Sequence, residues 1–277
     1  LKIPLFGIVF LQILLAIATA WITYRAALEI DPRTAFLSGI IVLFSPPITT
    51  SALLILSDTL FVFLISLFVL IFIRYLKSTK TRLAVLSALI LALATYVRPV
   101  SYFLGVLVAV FILYANLGKN FRKAILQAVV FLSVAYILLG IWQLRNYAHV
   151  QRFVITTIQR DYKTFPIFKA YALESFPAGQ GGWPVFSYLN AAWHCFLSLM
   201  ARPGTLKYLH SYSINVAGKI FGYPFVVFWW IGFLAGLVKL RVNIIYQFIF
   251  LVIVYFVTLT IAVIAASCGE RYLVPMV

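Results

Sequence analysis

The sequence predicts an all-α integral membrane protein, a polytopic helical bundle with one long loop on one side. Three observations carry this. Apolar residues make up 64% of the 277 residues and charged residues only 10%, with a mean hydropathy of +1.07. No soluble domain has an interior large enough to hide that much apolar surface. The apolar residues also fall in runs of about 20, the length a helix needs to cross the hydrocarbon core. Finally, basic residues cluster in alternate gaps between the runs. A formal net charge of +16 would suggest nucleic acid for a soluble chain. In short loops between apolar runs it sets topology instead, so nucleic acid is not an expected partner.

The runs lie at 3–23, 35–55, 58–74, 83–97, 100–116, 124–143, 219–238 and 243–266, with a ninth opening at Arg271. Pro46 and Pro47 interrupt the second. Proline lacks an N–H and clashes with the preceding turn, so that helix should end near Ser45. Residues 48–56 then form a short re-entrant or horizontal piece. Arg25 and Arg33 lie in the first gap, Arg74, Lys77, Lys80 and Arg82 in the third, Lys119, Arg122 and Lys123 in the fifth, and Lys239 and Arg241 in the seventh. The positive-inside rule puts these in the cytoplasm. Asp58, Arg98, Trp142–Asn146 and Glu270–Arg271 then share the outer side. Three segments follow: helices over 1–143, an extracytoplasmic loop domain over 144–218, and C-terminal helices over 219–277. The chain opens at Leu1, not Met, and closes on residues that read as the start of another helix, so a fragment of a longer protein is expected.

The long loop carries a flexible Gly179-Gln180-Gly181-Gly182 hinge. After it, Phe186, Leu189, Trp193, Phe196, Leu197 and Met200 recur at helical spacing, which predicts an amphipathic helix over 183–200 lying on the outer leaflet. Pro203-Gly204 ends it. His149, His194 and His210 match no zinc spacing, and no metal or cofactor is expected. Cys195 and Cys268 share the outer side, where a disulfide is permitted; two free thiols are the expectation. Trp229–Trp230, in mid-helix, reads as core packing. No phosphate-binding glycine loop, nucleophile elbow or HExxH occurs.

Asp58 is the one acid between Asp31 and Asp161. A carboxylate at the edge of hydrocarbon is costly unless solvated or paired, which marks it as a site candidate. It also follows Ser57 at a helix start, where it could serve as a cap. Arg98 and Arg145 each sit at a helix end, where snorkelling to lipid phosphate is the ordinary role. Glu270-Arg271 could be a local ion pair. Together, one acid and three arginines on one face suggest more. A guanidinium fork suits a pair of phosphate oxygens, and several converging would hold a lipid phosphate.

The motifs that carry these residues resemble a known family. Leu43-Phe44-Ser45-Pro46-Pro47 is followed by Leu56-Ser57-Asp58-Thr59-Leu60-Phe61, then by Leu91-Ala92-Leu93-Ala94-Thr95-Tyr96-Val97-Arg98-Pro99. Trp142-Gln143-Leu144-Arg145-Asn146-Tyr147 opens the large loop, and Glu270-Arg271-Tyr272-Leu273-Val274-Pro275 opens a late helix. In this order they resemble the GT-C membrane glycosyltransferases that use polyprenyl-phosphate sugars, of the protein O-mannosyltransferase, aminoarabinose transferase and RgtA/B/C/D-like type. The resemblance implies a catalytic carboxylate in a loop ahead of Leu1, with Asp58 a second acidic group and Arg98 a basic one beside it. It places Arg145, Asn146, Arg271 and Tyr272 around the donor's lipid phosphate.

The reading is a membrane glycosyltransferase that moves a sugar from a polyprenyl-phosphate donor to a hydroxyl on a lipid, glycan or protein. Its site would face outward from a bacterial inner membrane, and the fragment by itself would be inactive. The alternative is a transporter or lipid-linked-glycan flippase. That would want a polar midplane site and paired broken helices, and neither is evident.

Overall fold

The computed structural model describes residues 5–53, 57–116, 120–150, 231, 234 and 243–267. These residues are helical throughout apart from turns, and no strand occurs among them. The helices are α1 (Leu5–Leu28), α2 (Pro32–Leu43), α3 (Pro46–Leu53), α4 (Ser57–Ser78), α5 (Thr81–Val97), α6 (Leu104–Ala115), α7 (Phe121–Val150) and α8 (Ile244–Ser267), with a 3-10 turn at Pro99–Ser101. The all-α membrane class expected from composition therefore holds.

Three described helices are long and apolar enough to cross a membrane: Phe6–Leu28, Ser57–Ser78 and Phe121–Ala148. The expected runs at 35–55, 83–97 and 100–116 appear as shorter apolar helices. The second is split as its prolines dictate. α2 ends at Leu43, Phe44 caps it, and α3 starts at Pro46. Pro46 and Pro47 sit in the first turn of α3, where a missing N–H costs nothing. Asp31 caps α2, its carboxylate accepting from Arg33 N at 3.0 Å. α7 runs past its expected end at 143 to Val150, because Trp142–Val150 holds no Gly or Pro to stop it. The run at 219–238 lies outside the described residues except for Ile231 and Leu234, and the amphipathic helix expected at 183–200 lies wholly outside them.

The chain divides into two compact units, one of Leu1–Ile155 with Gly236–Leu251, the other of Thr156–Ala235 with Val252–Val277. In the second, the described residues are Ile231, Leu234 and the later turns of α8, where the rings of Tyr255 and Phe256 meet edge-on at 5.3 Å.

The first unit is built around α4. Its Phe68, Phe72 and Tyr75 are fully buried and fall at i, i+4 and i+7, one face of a helix. Phe72 packs against Phe248 of α8 at 4.3 Å, Phe131 of α7 at 6.4 Å and Phe111 of α6 at 6.5 Å. A second cluster joins Ile22 and Ala26 of α1 to Leu70, Ile73 and Ile245. α5 packs between α4 and α7. Its buried positions are mostly small: Ala84, Ser87, Ala88, Ala92, Ala94 and Thr95. Lipid gives helices no hydrophobic reason to associate, so close backbone approach through small residues does that work.

The two ends of this unit differ in chemistry. At one end Glu29, just after α1, accepts from Arg74 Nε at 3.1 Å and Lys77 Nζ at 2.9 Å, both in the last turns of α4. The Lys77 hydrogen bond, helped by that from Arg74, holds the Glu29 carboxyl below its ordinary 4.5. Nearby, buried Gln127 of α7 accepts from Tyr75 Oη at 2.8 Å and donates to Thr79 O at 2.9 Å and Thr81 Oγ1 at 3.2 Å. It pins the α4–α5 turn, in which Thr79 has a positive φ of 50°. Arg25, Arg74, Lys77, Lys80, Arg82, Arg122 and Lys123 therefore belong to one end, as their alternation in sequence predicts. The other end carries the start of α4, the α5–α6 turn and the last turns of α7.

Candidate active site

Arg98 is presented by the α5–α6 turn. It is the first residue beyond α5 and is extended, with φ −144° and ψ 117°. Pro99 explains this, since proline drives the residue before it out of the α region. The turn is tied down from within. Arg98 N donates to Ala94 O at 2.9 Å and Tyr102 N to Pro99 O at 3.0 Å. The hydroxyls of Thr95 and Ser101, both buried, lie 2.9 Å apart, and Ser101 Oγ donates to Arg98 O at 3.3 Å. A backbone so constrained fixes where the guanidinium starts from.

Asp58 stands in the first turn of α4, where the helix dipole favours a negative charge. The contact shown for its carboxylate is not a cap but an ion pair: Oδ1 meets Arg98 Nη2 at 2.6 Å. Both side chains are 27% exposed, so the pair is neither a surface contact nor sealed from water. Charge-assisted hydrogen bonds of this length are among the strong ones. The structure thus brings together across 40 residues of sequence two groups that were expected to share a face.

Arg145 does not join that pair. Its guanidinium carbon lies 5.0 Å from the centroid of the Trp142 ring, one turn earlier in α7. Trp142 in turn meets Tyr96 edge-on at 5.8 Å, and Tyr96 is two residues from Arg98. The two arginines therefore sit at the same end of the unit, linked through two aromatic rings and not through a shared carboxylate. Arg145 is exposed, and Asn146 beside it is half-buried. Cation–π contact orients the guanidinium while leaving its N–H edges open to a ligand. Arg271 and Tyr272, the remaining expected members, lie outside the described residues.

Residues 2–142 match the family described as dolichyl-phosphate-mannose-protein mannosyltransferase. The chain belongs to this family. Comparison with curated proteins and with solved structures found no match. The mannosyltransferase family consists of membrane glycosyltransferases using polyprenyl-phosphate sugars. The matched stretch contains Asp58, Arg98 and Trp142 and stops short of Arg145 and Asn146.

The family resemblance does not single out four further residues that organise this end: Tyr96, Tyr102, Tyr136 and Gln143. Tyr96 Oη donates to Leu138 O of α7. Tyr136 Oη donates to Tyr102 O at 2.6 Å, and Gln143 Nε2 donates to Tyr102 Oη at 3.2 Å. Tyr96 and Gln143 fall inside the motifs that carry the resemblance, whereas the one signal for Tyr102 and Tyr136 is a polar tip within otherwise apolar segments.

Proposed function

We propose that this chain forms part of an enzyme that transfers a sugar from a polyprenyl monophosphate to an acceptor hydroxyl on the extracytoplasmic face. The bond between the anomeric carbon and the phosphate oxygen breaks as the acceptor oxygen bonds to that carbon. The acceptor proton passes to a general base, and the lipid phosphate departs with an added negative charge. Arg98 and Arg145 meet that growing charge with donors already in place. Asp58 holds Arg98 in position and orients donor or acceptor, and Asn146, beside Arg145, offers the phosphate a further donor; the expected roles of Arg271 and Tyr272 fall on residues outside the described ones. A bacterial inner membrane, with the cation-rich end in the cytoplasm, fits the distribution of basic residues.

The observation that supports this reading best is the 2.6 Å Asp58–Arg98 pair, placed at the end of the unit away from the lysine- and arginine-rich loops. The test is sugar transfer by the full-length protein in lipid vesicles, with a polyprenyl-phosphate mannose donor. Asp58→Asn and Arg98→Gln should each depress turnover, and unchanged rates in both would remove the site. Labelling of cysteines introduced at positions 60 and 144, against one at position 80, reads the orientation; equal access from one side to all three would defeat it.

A further inference from the structure

We infer that Tyr102, Tyr136 and Gln143 are positioning residues that fix the rotation of α7 and so set where Arg145 stands relative to Arg98. This deepens the phosphate-binding reading and rests on it. Tyr136 and Gln143 are seven residues apart, two helical turns, and so lie on one face of α7. Both grip Tyr102. Tyr136 Oη holds its carbonyl at 2.6 Å, and Gln143 Nε2 holds its phenol at 3.2 Å. The rings of Tyr102 and Tyr136 meet edge-on at 5.3 Å. Two grips separated along one face resist both rolling and sliding. A slip of one residue would shift the helix by about 1.5 Å and turn it by about 100°, which neither hydrogen bond survives.

What the clasp holds on each side matters for the site. Tyr102 closes the turn that presents Arg98, through its N–H to Pro99 O. Arg145 follows Gln143 by two residues, about 200° further round α7, so gripping Tyr102 with one face directs Arg145 to the opposite one. There it rests on Trp142, whose ring meets Tyr96. The clasp also explains a glycine. A Cβ at Gly105, in the first turn of α6, would come within 3.2 Å of Tyr136 Cε2 and 3.3 Å of its Oη. The absence of a side chain there lets the Tyr136 ring lie across α6 and reach the Tyr102 carbonyl.

The hydrogen bonds of Tyr136 and Gln143 are spent on Tyr102, so the three are assigned a role through the two arginines. The test uses the full-length protein in nanodiscs and undecaprenyl monophosphate as probe, measuring Kd and the thermal midpoint for each variant. Arg98→Gln and Arg145→Gln report on phosphate binding itself. Tyr136→Phe and Gln143→Ala should each raise Kd about three- to tenfold, the scale of one lost hydrogen bond. Gly105→Ala should mimic Tyr136→Phe. In an Arg98→Gln background the clasp variants should raise Kd no further, because there is no longer a second guanidinium to hold in register. A purely structural role predicts full additivity in that background, and that result would overturn the inference. So would an unchanged Kd in Tyr136→Phe and Gln143→Ala while both arginine variants bind weakly, an outcome that leaves the phosphate reading standing. If the arginine variants bind normally, the phosphate reading fails and takes the clasp with it. Should Tyr136→Phe fail to fold, Gln143→Ala, at a half-buried position near the helix end, decides alone.

Discussion

Asp58 and Arg98 should behave as one unit in catalysis, and a double-mutant cycle measures this. A hydrogen bond to a charged partner contributes about 1.5–3 kcal/mol. The pair is 27% exposed on both sides, so water screens it and the lower part of that range applies. At about 1.4 kcal/mol per tenfold in rate, Asp58→Asn should lower kcat/KM about ten- to thirtyfold through misplacement of Arg98. Arg98→Gln should cost at least as much, since it also removes a proposed phosphate donor. With Arg98 already gone, Asp58→Asn should cost little more, giving a coupling energy of about 1.5–2 kcal/mol. The assay is sugar transfer by the full-length protein in vesicles, with thermal midpoints recorded to confirm folding. Single effects that simply add would mean that Asp58 and Arg98 act independently, and the reasoning from their 2.6 Å contact would be wrong.

Four other outcomes follow from the same structure. Phe72→Ala, which empties the centre of the aromatic cluster, should destabilise the bundle by about 3–5 kcal/mol, read as a large fall in unfolding midpoint. Gln127→Leu removes the donor to Thr79 O and one of the partners of the Tyr75 hydroxyl, and should cost about 1–3 kcal/mol while activity per folded molecule is retained. Thr79→Gly relieves a branched side chain at φ 50° and should raise stability by up to about 1 kcal/mol, read as a higher unfolding midpoint. Glu29 is held below its ordinary 4.5 in the folded protein, so its contribution is complete above that value and disappears as pH falls through the lowered one. The partners Arg74 and Lys77 are well exposed, so the effect is small, about 0.2–1 kcal/mol. Wild type should lose more stability than Glu29→Gln between pH 7 and pH 3, and equal losses would show that the ion pairs contribute nothing.

The class of fold was legible because it rests on local facts. Apolar run length, the Pro46–Pro47 break and the alternation of basic loops each depend on neighbouring residues, and each reappears in the helices. Asp58 and Arg98 could be placed on one face by counting crossings. Their direct contact could not, since it depends on how α4 packs on α5 and on the geometry that Pro99 gives the turn. Arg145 stands off on Trp142 because helical spacing puts the ring one turn below it, a relation the sequence contains but that competes with convergence on Asp58. The Tyr102 clasp had almost no signal. Its members are uncharged, lie 34 and 41 residues apart in sequence, and one of its two bonds ends on a backbone carbonyl, which every residue possesses. The Glu29 cluster and Gln127 share that property of being ordinary residues made significant by packing.

α5 acts as a shim. It lies between the helix that bears Asp58 and the one that bears Arg145, and it is thin because half of its buried positions are alanine. Each methyl group added at Ala84, Ala88 or Ala92 would push those neighbours apart along their length. Such changes would alter the spacing of the helices that bear Asp58 and Arg145 with no charged residue exchanged.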